Sequence, residues 1–325
     1  MQLSRRTLLA AGSSSAFLLT AGKSRAARPN ELVLDWATYN PVSLVLKEKG
    51  WVEDALARHG VKVRWVQSLG SNKALEFLNA GSLDLGSTAG AAALLARING
   101  NPIRSVYVYS KPEWTALVTR PDTGIQRVED LKGRRVAATK GTDPYIFLLR
   151  ALERHRLGQK DVHLVLLQHD QGKAALERGD VDAWAGLDPM MAQTELEAGN
   201  RLFYRDPDAN TWGVLNAPET LIAEAPELID AVVAAYERGR RHALANPAEL
   251  RGLLAKAARI GEAVAARQLE RTGLTEPRIG DAQAASIRAA GLALQEAGVI
   301  RPDVDVAATV DALLDRRFTA SLTVG

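Results

Sequence analysis

The chain of 325 residues contains no cysteine. That absence removes disulfides, thiol catalysis, cysteine-held zinc and a lipid-bearing cysteine at a processing site. A chain of this size does not need disulfides even where it is exported. The common catalytic signatures are missing as well. Lys140-Gly141-Thr142 lacks the upstream glycine loop of a phosphate-binding P-loop, and neither G-x-G-x-x-G nor H-E-x-x-H occurs. Gly86-Ser-Thr-Ala-Gly90 is not a nucleophile elbow, because Thr88 holds the central position. The five histidines (59, 155, 163, 169 and 242) are scattered. The spacing of His163 and His169 fits neither one helix face nor one tight turn, so they read as surface or packing residues. No metal, no cofactor and no catalytic residue is expected. Aromatics make up only 5% of the chain and no basic stripe is interleaved with them, so no nucleic-acid partner is expected.

A long apolar run is also lacking. The only candidate lies between Arg6 and Lys23, and its 16 residues fall short of the roughly 20 that span a bilayer. Arg5-Arg6 followed by Leu8-Leu9, a mild apolar stretch and Ser24-Arg25-Ala26 instead reads as a cleavable export signal of the twin-arginine type, ending near Ala26. Residues 1–26 carry four cations and no acid, so the formal charge of +3 becomes −1 beyond them. The basic balance belongs to the leader. The expected product is periplasmic, unanchored and monomeric.

What the chain does have is a phrase stated twice. Lys73–Thr88 and Lys173–Asp188 both run helix, glycine, short strand, small polar residues. Gly81 and Gly179 are spaced like Asp84 and Asp182, too far apart for a solenoid repeat. Two similar α/β lobes account for it, each ending a strand at the same kind of place. Ligands bind beyond the carboxyl ends of strands in such sheets, so matching edges predict a cleft.

Hydrophobic periodicity predicts β-α-β-α-β-α-β from Glu31 to Ser110, including one helix over Pro41–Ala57 and a strand over Leu83–Ser87. A second α/β series runs from Trp114 to Ala217. From Pro226 the pattern is helical, punctuated by Pro247, Pro277 and Pro302. The expected division is residues 27–114 with 218–325 as one lobe and 115–217 as the other.

Strand-to-helix turns rich in small hydroxyl residues carry the candidate chemistry. Leu83–Gly90 offers Ser87 and Thr88, and Ala138–Pro144 offers Gly141, Thr142 and Asp143. Helix starts expose unpaired N–H groups and attract anions. Val181–Met191 is a third turn, with Trp184 as a candidate apolar wall and Asp188 as a helix cap or a partner for a positive group.

These stretches, Ala74–Thr88, Val128–Val136, Lys140–Leu152 and Gly179–Pro189, resemble the periplasmic substrate-binding proteins of ABC importers, specifically the aliphatic sulfonate-binding family related to taurine- and nitrate-binding proteins. The resemblance implies a two-lobed type II periplasmic-binding-protein fold, each lobe a helix-flanked, mostly parallel sheet. It implies capture of an alkanesulfonate between the lobes and delivery to an inner-membrane permease for sulfur acquisition, with no catalysis. Carried over, the anionic head falls to Ser87, Thr88, Gly141, Thr142 and Asp143, and the rest of the cleft to Trp184 and Asp188. Asn40, Gln67 and Asn216 are further implied contacts. The family's polar residue after Ser-Thr is replaced by Ala89-Gly90-Ala91, and Asp143 stands where a hydroxyl is usual, so Asp143 or Asp188 is expected to tolerate amino-bearing sulfonates. The alternatives are taurine, nitrate or a pyrimidine as cargo, or an exported enzyme on the same fold. Catalytic relatives use a cysteine or histidine in the cleft, and the four matching stretches hold neither.

Overall fold

The computed structural model describes residues 29–323, so the export signal expected over residues 1–26 lies outside the described residues. Among the described residues no helix is long and apolar enough to cross a membrane.

The chain opens with β1 (Glu31–Trp36), α1 (Pro41–Lys49), α2 (Trp51–Ala57), β2 (Lys62–Gln67), α3 (Ser71–Asn79), β3 (Gly86–Ala89), α4 (Gly90–Ile98) and β4 (Ile103–Pro112). The single helix expected over Pro41–Ala57 is two, because Gly50 adopts φ 66° and terminates α1 in the left-handed region. The second series is β5 (Leu117–Thr119), β6 (Arg135–Ala138), α5 (Asp143–Arg154), β7 (His163–Leu166), α6 (His169–Arg178), β8 (Ala183–Ala185), α7 (Met190–Glu197) and β9 (Arg201–Tyr204). It is followed by β10 (Gly213–Pro218), α8 (Glu219–Glu224), α9 (Pro226–Ala245), α10 (Pro247–Ala258), α11 (Glu262–Glu270), β11 (Thr272–Gly273), α12 (Asp281–Glu296) and α13 (Val306–Leu313).

Two sheets of the same plan result. In the second lobe the order is β7-β6-β8-β5-β9, with β6 parallel to β7 and β8 and with β5 antiparallel to β8 and β9. In the first lobe β1 pairs parallel with β2, a bridge from Leu34 to Leu85 ties β1 to the segment entering β3, and β10 runs antiparallel between β3 and β4. Each sheet thus receives one reversed strand, β5 or β10, just after the chain has crossed from the other lobe. The pairing of β10 with β3 and β4 begins at Gly213, so the return crossing falls between β9 and β10, upstream of the expected 217/218 boundary.

The repeat is explained by how these sheets are closed. Asp84 accepts the Val33 N–H at 2.7 Å and donates its own N–H to the Val33 carbonyl at 2.8 Å. Asp182 does the same to Arg135, at 2.9 and 2.8 Å. Gly81 and Gly179 take φ of 66° and 84°, the left-handed turn that ends α3 and α6. The repeated phrase is a helix stop followed by a side-chain clasp on the neighbouring strand. It sets the ends of the two sheets.

Candidate functional site

Two adjoining spaces lie between the lobes. The larger, about 310 Å³, is lined on one side by Thr38, Tyr39, Leu69 and Lys73. Its other wall comprises Gln168–Gln171, Leu187, Asp188 and Met190. A smaller void of about 10 Å³ continues inward between Tyr39, Ser71 and Trp114 and the Thr142–Pro144 turn. Tyr39, His169 and Leu187 border both.

The turn after β3, one of the two expected donor sets for the anionic head, is satisfied within its own lobe. Ser87 is fully buried, its N–H and hydroxyl both donating to Asp35 Oδ1 at 2.9 and 2.8 Å. Asn40 caps α1 through Ser43 N–H and donates to Ser87 Oγ at 2.7 Å. Thr88 donates to the Ala89 carbonyl and accepts from Asn216 Nδ2 at 2.8 Å. Asn216 in turn accepts from Ser105 at 2.7 Å. Asn40, Ser87, Thr88 and Asn216 therefore form a closed polar network inside the first lobe. The leading N–H groups of α4 are taken as well, Gly90 by the Trp212 carbonyl at 2.9 Å and Ala91 by Thr211 Oγ1 at 3.1 Å. Burial raises Asp35 to about 6 despite its bonds from Ser87.

Asp143 is likewise occupied. Its carboxylate accepts from Trp114 Nε1 (2.9 Å), Thr211 N–H (2.9 Å) and Thr211 Oγ1 (2.7 Å). Trp114 and Thr211 lie on the two crossings between lobes, so Asp143 staples both crossings to the start of α5. Burial pushes its pKa up, opposed by those bonds. The expected role of Asp143 toward an amino-bearing ligand is corrected: all its strong acceptor positions point into the crossings. Thr142 borders the inner void but spends its hydroxyl on the Thr139 carbonyl at 2.6 Å. Gly141 lines neither space; it sits at φ 78° with Asn72 across from it.

Trp184 is not a cleft wall. Its indole is wholly buried among Val118, Ala137, Leu176 and Met191, and a Cβ on Gly172 would come within 2.6 Å of its Nε1. The correction has a simple cause: β8 is central in its sheet, and its residues alternate toward α6 rather than the opposite lobe. Gln67 is exposed at the end of β2 and borders neither space. Asp188 does line the larger cavity. One carboxylate oxygen caps α7 through Ala192 N–H at 2.8 Å, while Oδ2 lies 3.6 Å from Arg271 without a hydrogen bond. Burial lifts its pKa to about 7, against the pull of Arg271.

The cleft instead uses residues the sequence left unremarked. Gly70, with no side chain to cap α3, leaves the first N–H groups of that helix to whatever approaches. No acid sits in its first turn. Ser71 Oγ accepts from Ala89 N–H at 3.0 Å, leaving its proton to donate. Facing this turn is His169, the first residue of α6 and 1% exposed. Its Nδ1 meets Thr139 Oγ1 at 3.1 Å, and Thr139 donates its proton to the Leu167 carbonyl at 2.8 Å. Nδ1 must then carry the imidazole hydrogen, and Nε2 is an acceptor with no partner. Burial holds the pKa of His169 down at about 3. The expectation that no histidine enters the cleft is overturned. The signal was Gln168-His169-Asp170 at a strand-to-helix turn, matching Gly70-Ser71 in the other lobe.

The lobes also meet through ions. Arg271, at the end of α11, pairs with Glu195 on α7 and approaches Asp188, and Arg267 reaches Glu195 at 3.1 Å.

Two lobes on one sheet plan, joined by two crossings around a lined cavity, define the class of two-lobed periplasmic-binding-protein folds. The family description NMT1/THI5 like matches residues 41–250, and the chain belongs to that family. It is 35% identical over 153 residues to a protein of Escherichia coli (strain K12) named as an aliphatic sulfonates-binding protein, covering 47% of this chain and 48% of that one. The chain thus spans about half the length of the curated relatives it matches first. In structure it is similar to the periplasmic aliphatic sulphonate binding protein SsuA from Escherichia coli, with TM-score 0.74 and 26% identity over 86% of this chain and 91% of that one. It also superposes on the alkanesulfonate-binding protein SsuA from Xanthomonas axonopodis pv. citri bound to MOPS, with TM-score 0.79 and 23% identity over 87% and 99%. These relatives are named as binding proteins.

Proposed function

We propose that this protein captures an alkanesulfonate in the cleft between its lobes and presents it to an ABC permease in the inner membrane. The lobes divide within residues 113–116 and 205–212. The observation that carries the reading is the uncapped start of α3, which borders the inner void through Ser71 and the adjoining cavity of about 310 Å³ through Leu69 and Lys73. A sulfonate is ionised at all working pH values and carries three acceptor oxygens on one arm. The leading N–H groups of α3 and the Ser71 hydroxyl supply donors, and the helix dipole adds about 0.3–1 kcal/mol. Lys73 contributes positive charge at the rim, although it is paired with Glu76. Leu69, Leu187 and Met190 offer the arm an apolar bed. The names of the sulfonate-binding relatives support this choice over nitrate or a pyrimidine.

The enzymatic alternative is not favoured by the histidine in the cleft. His169 Nδ1 is held by Thr139, whose own proton is committed to a carbonyl, so no hydroxyl nucleophile is activated there. Ser71→Ala should weaken butanesulfonate binding about tenfold, the effect of losing one hydrogen bond to a charged group. Thr88→Ala should leave it within about twofold. Calorimetric titration of both variants checks this, and the opposite ranking would move the anion site back to the turn after β3.

A further inference from the structure

His169 Nε2 is a fixed acceptor with no donor opposite it. The residue is 1% exposed. A neutral imidazole has one N–H and one bare nitrogen, and Thr139 fixes which is which. Thr139 gives its proton to the Leu167 carbonyl at 2.8 Å, so its oxygen accepts from Nδ1 at 3.1 Å. Burial keeps the ring neutral, with its pKa down at about 3. The ionisable groups bordering the same two spaces are Tyr39, Lys73, Asp143, Asp170 and Asp188. None of them is hydrogen-bonded to the bare nitrogen.

The place of that nitrogen gives it a meaning. A Cβ on Gly70 would come within 3.0 Å of Nε2 and 3.2 Å of the adjoining ring carbon. Nε2 therefore faces the turn that opens α3, beside the N–H groups and the Ser71 hydroxyl assigned above to the anionic head. Those groups donate, whereas His169 accepts. A sulfonate has three oxygens and no proton, so it satisfies the donors and sets its lone pairs against Nε2. Buried acceptors are nearly always paired, and pairing this one calls for a hydroxyl on the head itself. The singly ionised alkylphosphonate has one. It keeps the tetrahedral shape, the single charge and the carbon arm of a sulfonate, with P–OH in place of one oxygen.

We propose that His169 Nε2 reads a proton on the head group, so that the cleft takes alkylphosphonate monoanions as a further cargo class beside the sulfonates. This rests on the sulfonate reading above for the seat of the head at α3 and the bed of the arm. The P–OH donates to Nε2, and the two remaining oxygens accept from α3 and Ser71. The phosphonate dianion lacks that proton and is excluded. Thr139 is a positioning residue, because it keeps the imidazole hydrogen on Nδ1.

The test compares butanephosphonate with butanesulfonate by calorimetric titration of the full chain at about pH 6 and about pH 9, where the phosphonate is mainly monoanion and mainly dianion. The ratio of the two affinities is read, because titration of the protein's own groups acts on both ligands. At the lower pH the phosphonate should be no more than about threefold weaker than the sulfonate. Its relative affinity should fall at least about tenfold at the higher pH, the loss of one hydrogen bond to a charged head. His169→Leu should lower the ratio at the lower pH about tenfold. Thr139→Val keeps the imidazole and frees its hydrogen to move to Nε2. It should weaken the phosphonate and tighten the sulfonate, a reversal that a packing role does not produce, so it serves where the histidine variant fails to fold. A larger deficit of the phosphonate at the lower pH overturns the second cargo class and leaves the sulfonate site standing. A ratio that ignores pH overturns the reading of a proton, and a ratio unchanged in the variants overturns the assignment to His169. Binding of neither compound overturns the sulfonate reading and this inference with it.

Discussion

Asp143 and Ser87 show how the same residue types serve opposite ends. Both stand at strand-to-helix turns and both look like ligand donors or partners in the sequence. In the structure each is saturated by its own lobe or by the crossings. Replacing Asp143 with alanine orphans the Trp114 indole N–H and the Thr211 N–H, each costing about 1–3 kcal/mol when buried. Asp143→Ala should therefore lower unfolding stability by about 3 kcal/mol in urea titrations. It should leave the affinity ratio of taurine to butanesulfonate unchanged. A changed ratio with little loss of stability would put Asp143 back at the ligand.

Among the elements, α3 and α6 matter most, because their first turns face each other. Gly70 permits that approach. It sits at φ 151°, and a Cβ there would come within 2.8 Å of Asn72 Oδ1 and 3.0 Å of His169 Nε2. The second contact crosses from one lobe to the other. Gly70→Ala should therefore weaken sulfonate binding at least about tenfold. The unfolding midpoint of the unliganded protein should fall too, by several degrees, because a side chain is strained at this φ whatever the lobes do. A large loss of midpoint with affinity intact would assign Gly70 to folding alone.

The helices and strands themselves were largely legible in the sequence. The expected helices after Pro226 correspond to α9 through α13, because apolar residues recur there at helical spacing between prolines. The twin lobes were legible in Gly81 and Gly179, although the repeat proved to be a clasp on the sheet. The site was legible only in part. Asp188 reaches the cavity and Thr142 and Asp143 the void behind it, but Ser87, Thr88, Asn216 and Asn40 are satisfied internally. That outcome depends on Asp35, on Ser105 and on Tyr236, whose hydroxyl accepts from Asn40 Nδ2 at 3.4 Å, all distant in sequence and giving no local sign. His169 was missed because histidines were weighed by mutual spacing, whereas its role follows from Thr139 and from the helix it begins.

At the scale of the whole molecule, burial displaces two titrating groups of the cleft in opposite senses, and closure should couple to protons through both. Burial lowers His169 from 6.5 to about 3, so the closed form releases a proton relative to an open, hydrated one between those values. Its contribution to closure is complete above about pH 6.5 and is lost as pH falls toward 3. Burial raises Asp188 from 3.8 to about 7 against the pull of Arg271, with Glu195 and Glu113 adding to the rise, so its contribution is complete below about pH 4 and is lost as pH rises through 7. Butanesulfonate affinity should then weaken on acidification below about pH 6.5 in Asp188→Asn. It should tighten on acidification through pH 7 in His169→Leu. Titrations between pH 4.5 and 8 check both signs, and parallel profiles in the two variants would remove the coupling.

All of these effects presuppose a cleft that closes on a sulfonate. The most direct test is calorimetric titration of the full chain with butanesulfonate, sulfate and nitrate under one set of conditions. One saturable site for butanesulfonate is predicted, with sulfate and nitrate at least about tenfold weaker because neither offers an arm to Leu69, Leu187 and Met190. Tighter binding of nitrate or sulfate, or no binding of any sulfonate, would contradict the account.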